Sequence, residues 1–174
     1  MVTVLGTVLG AALVLAGCGL VGTSSAAGTT TTAGAAVTTS TAMTGAVTPV
    51  TELLPGQCAN DLPATAQRPY AVLVLGCEQA HTYEIYDELT TDIAGTTRGS
   101  PYPGETPMRT SAEQQCLGRF AGWMGKAWTA SDYDVQTWWP SEISWTTKSD
   151  RTVICAVYAV SGVRTVGSVR GRKL

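Results

Sequence analysis

The chain has 174 residues and a single histidine, His81, so any mechanism that requires an imidazole must use this residue. A histidine base usually activates a serine or cysteine within hydrogen-bonding reach. The sequence has neither the Gly-x-Ser-x-Gly turn of serine hydrolases nor the Ser-x-x-Lys motif of penicillin-recognising enzymes. We therefore predict a structural role or a ligand contact for His81. A hydrolase in which His81 and a nearby carboxylate act as acid and base is the alternative.

Four carboxylates follow the histidine within a short stretch: Glu84, Asp87, Glu88 and Asp92. Glycoside hydrolysis needs two carboxyl groups on either side of a bound sugar, one of them in a pocket that raises its pKa. Glu84 and Glu88 instead alternate with apolar residues, which is typical of a strand with one face in water. The pattern predicts a solvated acidic face rather than a catalytic pair.

Tryptophan outnumbers phenylalanine in this chain by five to one. Trp138 and Trp139 are adjacent, so in a strand their side chains point to opposite faces. We expect one ring in the core and the other at the surface or its rim, where an exposed indole provides a platform for a sugar ring or a peptide. Asp150 and Arg151 are expected to form a local ion pair before a strand, with ligand contact as the alternative.

Four of the five cysteines are widely spaced: Cys58, Cys77, Cys116 and Cys155. No Cys-x-x-Cys pair is present, which argues against a zinc knuckle or a thioredoxin-like centre. The sequence predicts no metal and no cofactor. An even set of spaced cysteines is typical of disulfides in exported domains. Three pairings are possible, of which we favour Cys58–Cys77 and Cys116–Cys155.

Strands and one helix must position these residues. A capping-box pattern at Thr110 and Glu113 predicts the start of the helix. Apolar residues then recur every four positions and predict a buried stripe: Ala112, Cys116, Phe120 and Met124. Apolar runs predict strands at residues 70–77, 83–89, 133–139 and 153–160, with a hairpin partner at 163–169. The expected fold class is α+β, with a largely antiparallel sheet of about five strands, one main helix and two disulfides.

The N-terminal residues predict an export signal. Residues 2–15 form an apolar run interrupted only by Gly and Thr, too short to span a membrane and typical of a signal peptide. The run ends in Leu15-Ala16-Gly17-Cys18, which resembles the lipobox of bacterial lipoproteins. The resemblance implies that residues 1–17 are a lipoprotein signal peptide and that Cys18 is acylated. Two acyl chains would anchor the protein on the outer face of the plasma membrane.

Residues 18–51 are predicted to be a disordered linker. They consist almost entirely of Thr, Ala, Gly, Ser and Val, and Glu52 is the first charged residue of the chain. This composition buries too little apolar surface to offset the loss of chain entropy. A tether of this length reaches about 30–35 Å, either as an O-glycosylated stalk or as a bare spacer. The folded domain is expected at residues 52–174.

Five short motifs follow one another along this domain. They are Pro55-Gly56-Gln57-Cys58, Cys77-Glu78-Gln79-Ala80-His81, Tyr102-Pro103-Gly104, Asp150-Arg151-Thr152-Val153-Ile154-Cys155 and Gly167-Ser168-Val169-Arg170-Gly171. Their order and the cysteine spacing resemble the septum formation domain of actinobacterial envelope proteins. The resemblance implies a disulfide-bonded domain outside the membrane and a link to cell division, but it implies no particular reaction.

These features together predict a non-enzymatic, lipid-anchored envelope lipoprotein. Its domain is expected to bind a cell-wall component or a partner protein, with a role in septum formation. The alternative is a small cell-wall hydrolase that uses His81 and a nearby carboxylate. The residues expected to contact a ligand are His81, Trp138, Trp139, Asp150 and Arg151. The formal net charge of −2 argues against nucleic-acid binding.

Overall fold

The structure is a computed structural model that describes residues 44–66, 68, 70–91, 93, 95–97 and 99–174. These residues belong to one unit, Ser40–Leu174. The predicted signal peptide, Cys18 and most of the predicted linker lie outside the described residues. The strands are β1 (Ala46–Pro49), β2 (Cys58–Asp61), β3 (Ala71–Leu75), β4 (Tyr83–Thr90), β5 (Tyr133–Trp138) and β6 (Thr152–Ala159), and the helices are α1 (Glu105–Met124) and α2 (Glu142–Lys148).

All six strands form one sheet in the order β1-β3-β2-β4-β6-β5, and every neighbouring pair is antiparallel. The predicted α+β class is therefore confirmed, with six strands instead of about five and with a second helix. Sequence reasoning missed α2 because the helix is only seven residues long and buries a single residue, Trp145. Its start is marked by Ser141, whose side chain accepts a hydrogen bond from the Ser144 N–H.

Helix α1 packs across one face of the sheet through one row of residues. The predicted stripe is confirmed and begins one turn earlier, at Met108, which is also buried. On the sheet, Tyr86, Val153 and Val157 belong to the same apolar cluster as Ala112, Cys116, Phe120 and Met124, which we call the α1 cluster. A bulge between Ile85 and Asp87 shifts the register of β4 against β6. The opposite face carries a second apolar cluster in which residues just before β2 cover the sheet.

The start of α1 differs from the expectation. The helix begins at Glu105 rather than at Thr110, after Gly104, which has a φ of 99°. The proline at position 107 lies in the first turn, where a missing N–H breaks no helical hydrogen bond. The capping-box pattern at Thr110 therefore falls inside the helix.

Both favoured disulfides are present. Cys58–Cys77 joins β2 to the turn after β3, and Cys116–Cys155 joins α1 to β6. Their sequence separations are 19 and 39 residues. Loops of these lengths correspond to stabilisation of about 3 and about 4 kcal/mol through restriction of the unfolded chain. One disulfide therefore restrains β2 and the end of β3, and the other holds α1 on β6.

The sheet begins earlier than the predicted domain boundary at residue 52. Strand β1 pairs with β3 within the segment assigned to the linker, and Val50 and Leu53 are buried in the second cluster. The sequence gives little sign of β1, because this strand has mostly exposed side chains and no apolar alternation. Main-chain hydrogen bonds to β3, which leave no mark in composition, position it in the sheet.

The predicted strand at 163–169 is absent. After Gly162, which has a φ of 73°, the chain leaves β6 and makes only an isolated bridge between Thr165 and His81. Val163 and Val166 are exposed, so their apolar character marks no core strand. The segment instead folds over the start of β4, where Val169 joins the α1 cluster. The apolar pattern of residues 163–169 therefore wrongly predicted a hairpin with β6.

Candidate functional site

The face of the sheet opposite α1 carries three half-buried aromatic side chains, which we call the aromatic strip: Tyr83 on β4, Trp138 on β5 and Tyr158 on β6. The ring of Tyr83 meets Trp138 edge to face at 5.4 Å between centroids and meets Tyr158 at 6.5 Å. Such edge-to-face contacts hold the rings in fixed orientations. The strip is therefore an ordered aromatic surface built from three neighbouring strands.

Two carboxylates border the aromatic strip. Asp61 on β2 accepts the hydroxyl hydrogen of Tyr83, with oxygen separations of 3.2 and 3.3 Å. Asp134 on β5 accepts from the Tyr158 hydroxyl at 3.3 Å and from the Trp128 indole N–H at 2.7 Å. Each carboxylate keeps further acceptor capacity beyond these bonds. The strip thus combines apolar ring faces with charged acceptors at its rim.

Burial and the neighbouring carboxylates keep the strip tyrosines neutral. Desolvation by burial, followed by the charge of Asp61, raises the pKa of Tyr83 to about 12. The same two causes, with Asp134 as the charged neighbour, raise the pKa of Tyr158. A neutral phenol remains a hydrogen-bond donor, and its ring carries no repelling charge. Both tyrosines of the strip therefore keep their hydroxyl hydrogens across the physiological pH range.

A cavity of about 200 Å³ lies beside Trp138, and Tyr70, Glu105, Gln136 and Trp139 are among the residues that line it. Tyr70 is 74% exposed at its rim. The predicted opposite orientation of the two tryptophans is confirmed, because Trp139 packs on the α1 cluster and Trp138 on the opposite one. Both rings are half-buried, so the expected division into one core ring and one surface ring was wrong.

Asp150 and Arg151 line a second, polar cavity of about 610 Å³ together with Lys148 and several threonines. The Arg151 guanidinium lies 3.3 Å from the centre of the Trp145 ring and donates to the Trp145 carbonyl at 3.2 Å. The Asp150 carboxylate accepts from the Thr152 N–H at 2.9 Å. Stacking on an aromatic face holds the guanidinium in place. The cavity therefore has a fixed positive group on its wall.

The two cavities are joined by a continuous line of contacts. Arg151 stacks on Trp145, which meets Tyr102 at 6.0 Å between ring centroids. Tyr102 donates its hydroxyl to Glu105 at 3.1 Å, and Trp139 donates its indole N–H to the same carboxylate at 3.2 Å. Four of the predicted contact residues, all except His81, thus line one or the other of these two cavities.

His81 lies away from this side and is 1% exposed. Its Nδ1 is 2.9 Å from the Gln79 carbonyl, and its backbone pairs with Thr165. None of the cavities described above is lined by His81. The predicted ligand contact at His81 therefore does not coincide with the aromatic strip. The nearby carboxylate of the hydrolase alternative is Glu84, which is also closed off from solvent at 3% exposure.

The buried position of Glu84 corrects the prediction of a solvated acidic face. The side chain accepts the Ser168 hydroxyl hydrogen on one oxygen and the Val169 N–H, at 2.8 Å, on the other. Both donors belong to the C-terminal segment, which folds over β4. Strand alternation shows which face a residue occupies, but it does not show whether another part of the chain covers that face.

One group of potential metal ligands occurs among the described residues: Cys58, His81 and Glu84, with ligand atoms within 4.8 Å of one another. Cys58 is bonded to Cys77, so the group has no thiolate in the oxidised protein.

Sequence reasoning missed four residues of the site: Asp61, Tyr83, Asp134 and Tyr158. Their signal is weak, because Tyr158 lies in a strand that reads as apolar on both faces. The alternation of Asp134, Gln136 and Trp138 along β5 was the available clue, since these residues share one face. Only the pairing of β4, β5 and β6 brings that face together with Tyr83 and Tyr158.

Comparisons with curated proteins and with solved structures found no significant match. The disulfides indicate an extracytoplasmic location, and no helix in the described part of the chain has the length and apolar character needed to cross a membrane. Residues 55–173, which span the sheet from β2 to the C-terminal segment, match the family described as septum formation. The chain therefore belongs to the septum formation family.

Proposed function

We propose that the protein is a non-enzymatic envelope lipoprotein whose domain binds a cell-wall glycan during septum formation. In this proposal, acylated Cys18 anchors the chain on the outer face of the plasma membrane. The linker then places the domain in the wall space. Family membership supports the connection with the septum, and the disulfides support the location outside the cytoplasm.

The aromatic strip is the observation that carries the glycan assignment. A sugar ring presents C–H groups on its faces and hydroxyls at its edge, so it is bound best by an aromatic ring beside hydrogen-bond acceptors. Tyr83, Trp138 and Tyr158 supply the rings, and Asp61 and Asp134 supply the acceptors at the rim. The strip crosses three strands, which suits a polymer better than a single small molecule.

The absence of a catalytic role is part of the same proposal. Acid–base chemistry by His81 and Glu84 would require a substrate to reach two side chains that are 1% and 3% exposed. The carboxylates that border the aromatic strip, Asp61 and Asp134, each accept a hydrogen bond from a tyrosine hydroxyl. The geometry therefore supports binding better than turnover.

Retention of the oxidised full-length chain on purified cell walls tests the proposal. We expect Trp138→Ala to weaken retention by about tenfold, because one aromatic contact contributes about 0.5–1.5 kcal/mol beyond its buried area. Tyr158→Phe keeps the ring and should retain binding. Ile143→Ala removes an exposed apolar side chain outside the strip and is the matched control.

Equal retention of the native chain, Trp138→Ala and Ile143→Ala would contradict the glycan assignment. Release of soluble wall fragments by the native chain, lost in His81→Ala, would favour the hydrolase instead. Capture of a protein by crosslinkers placed at the strip, without retention on purified walls, would favour a partner protein.

A further inference from the structure

The Cys58–Cys77 disulfide borders a buried pair of potential metal ligands that the proposed function does not use. Three potential ligand atoms lie within 4.8 Å of one another: the Cys58 sulfur, a ring nitrogen of His81 and a carboxylate oxygen of Glu84. All three residues are buried. Thiolate, imidazole and carboxylate are the ligand types that zinc binds in proteins.

His81 has one ring nitrogen that a metal could use. Its Nδ1 lies 2.9 Å from the Gln79 carbonyl; because a carbonyl oxygen only accepts, Nδ1 carries the hydrogen. In the neutral ring the free lone pair is then on Nε2, which is buried and has no hydrogen-bond partner in the described part of the chain. Metal-binding histidines typically donate their other ring N–H to a carbonyl in this manner.

Glu84 is held in the same way by groups behind it. The Ser168 hydroxyl donates to one carboxylate oxygen and the Val169 N–H donates to the other. Each oxygen still has a lone pair beyond these bonds. Hydrogen bonds to a ligating carboxylate are the usual support of a metal centre. Two of the required ligands are therefore fixed before any metal is present.

We propose that reduction of the Cys58–Cys77 disulfide creates a zinc site, with the two cysteine thiolates, His81 Nε2 and the Glu84 carboxylate as ligands. A dithiol reductant supplies two electrons and two protons to the disulfide, yields two thiols and becomes a disulfide itself. Zn²⁺ then replaces the two thiol protons, which are released to solvent. In the reverse reaction a disulfide oxidant accepts two electrons from the thiolates and takes up two protons from solvent, which leaves it as a dithiol, restores the Cys58–Cys77 S–S bond and releases Zn²⁺.

The two disulfides differ in access to a reductant. Cys77 is half-buried, whereas Cys116 and Cys155 are completely buried between α1 and β6. Attack on a disulfide requires the thiolate to reach a sulfur atom, so Cys58–Cys77 is reduced first. With this disulfide open, zinc would hold β2, the turn after β3 and β4 together. The site would therefore act in the reduced chain, including a newly exported chain before oxidation.

Cobalt and zinc titrations of the full-length chain test the site. The purified protein is reduced with a phosphine, which is removed under anaerobic conditions, and Co²⁺ or Zn²⁺ is added. We expect one equivalent of metal, with thiolate-to-cobalt absorption bands and tetrahedral d–d bands. The oxidised chain should bind none. His81→Asn should lower zinc affinity by about 100-fold, because one of four ligands is lost.

Further variants show whether zinc binds at these four residues or elsewhere on the chain. In Cys58→Ser/Cys77→Ser the remaining domain cysteines are those of the second disulfide, so the reduced variant should bind no zinc. Glu84→Gln should weaken binding, whereas Glu88→Gln, at an exposed position on the same strand, should not. Absence of stoichiometric metal in the reduced native chain would overturn the proposal. Binding by the double serine variant, or equal affinity in His81→Asn, would also overturn it.

Discussion

Replacing Glu84 by alanine tests the least expected feature of the fold, a buried carboxylate that connects β4 to the C-terminal segment. The variant loses hydrogen bonds from the Ser168 hydroxyl and the Val169 N–H. A hydrogen bond to a charged group contributes about 1.5–3 kcal/mol, and a buried donor left without a partner costs about 1–3 kcal/mol. Val169 is 1% exposed, so water cannot readily replace the carboxylate. We expect the free energy of unfolding to fall by about 3–5 kcal/mol.

Glu84→Gln is expected to have an intermediate effect. The amide can still accept from the Val169 N–H and donate to the Ser168 oxygen, but both bonds lose their charge assistance. Charge-assisted bonds are about twice as strong as neutral ones, so the expected loss is about 1–2 kcal/mol. The series alanine, glutamine and native glutamate should therefore increase in stability in that order.

The assay is urea unfolding of the oxidised chain, followed by tryptophan fluorescence and extrapolated linearly to water. Glu88→Ala, at an exposed position of the same strand, is the matched control and should change stability by no more than about 0.5 kcal/mol. Hydrogen exchange at the Val169 amide should accelerate in Glu84→Ala only. Equal losses in the two alanine variants, or unchanged exchange at Val169, would show that Glu84 does not hold the C-terminal segment.

Three more outcomes are expected. Limited reduction followed by alkylation and peptide mapping should label Cys58 and Cys77 before the second pair; the reverse order would contradict the difference in burial. Tyr83 has an ordinary pKa of 10.0 when unfolded and about 12 when folded, so its contribution to stability is complete below pH 10 and is lost as the pH rises toward 12. An absorbance titration should show Asp61→Asn lowering that pKa; no change would exclude the carboxylate as a cause. A fluorescent fusion should concentrate at mid-cell, and Cys18→Ala should move it from the membrane to the soluble fraction; a uniform peripheral signal would remove support for the septal role.

The helix and the central strands were predictable because their own side chains form the core. The four-residue recurrence from Ala112 to Met124 describes one face of a helix whatever it packs on. Strand β6 likewise reads as apolar on both faces, since both faces are covered. The same elements favoured the second disulfide, because Cys116 lies in the buried stripe of the helix and Cys155 lies in β6.

Edge and surface elements were not predictable in this way. Strand β1 exposes most of its side chains and is held by its backbone. The segment at 163–169 has the apolar content of a strand, but it covers Glu84 instead of pairing with β6. In both cases the stabilising contacts are made by the main chain or by a distant carboxylate, which composition and periodicity do not record.

The family, the α+β class, the buried stripe of α1 and the presence of an even set of disulfide-forming cysteines can be predicted from the sequence, because each depends on residue type and spacing. The surroundings of these elements depend on the three-dimensional fold. It placed Tyr83, Trp138 and Tyr158 on one sheet face, and it closed His81 and Glu84 beside a disulfide. Side chains from separate strands become neighbours through sheet order and register, and those are properties of long-range pairing rather than of any single segment.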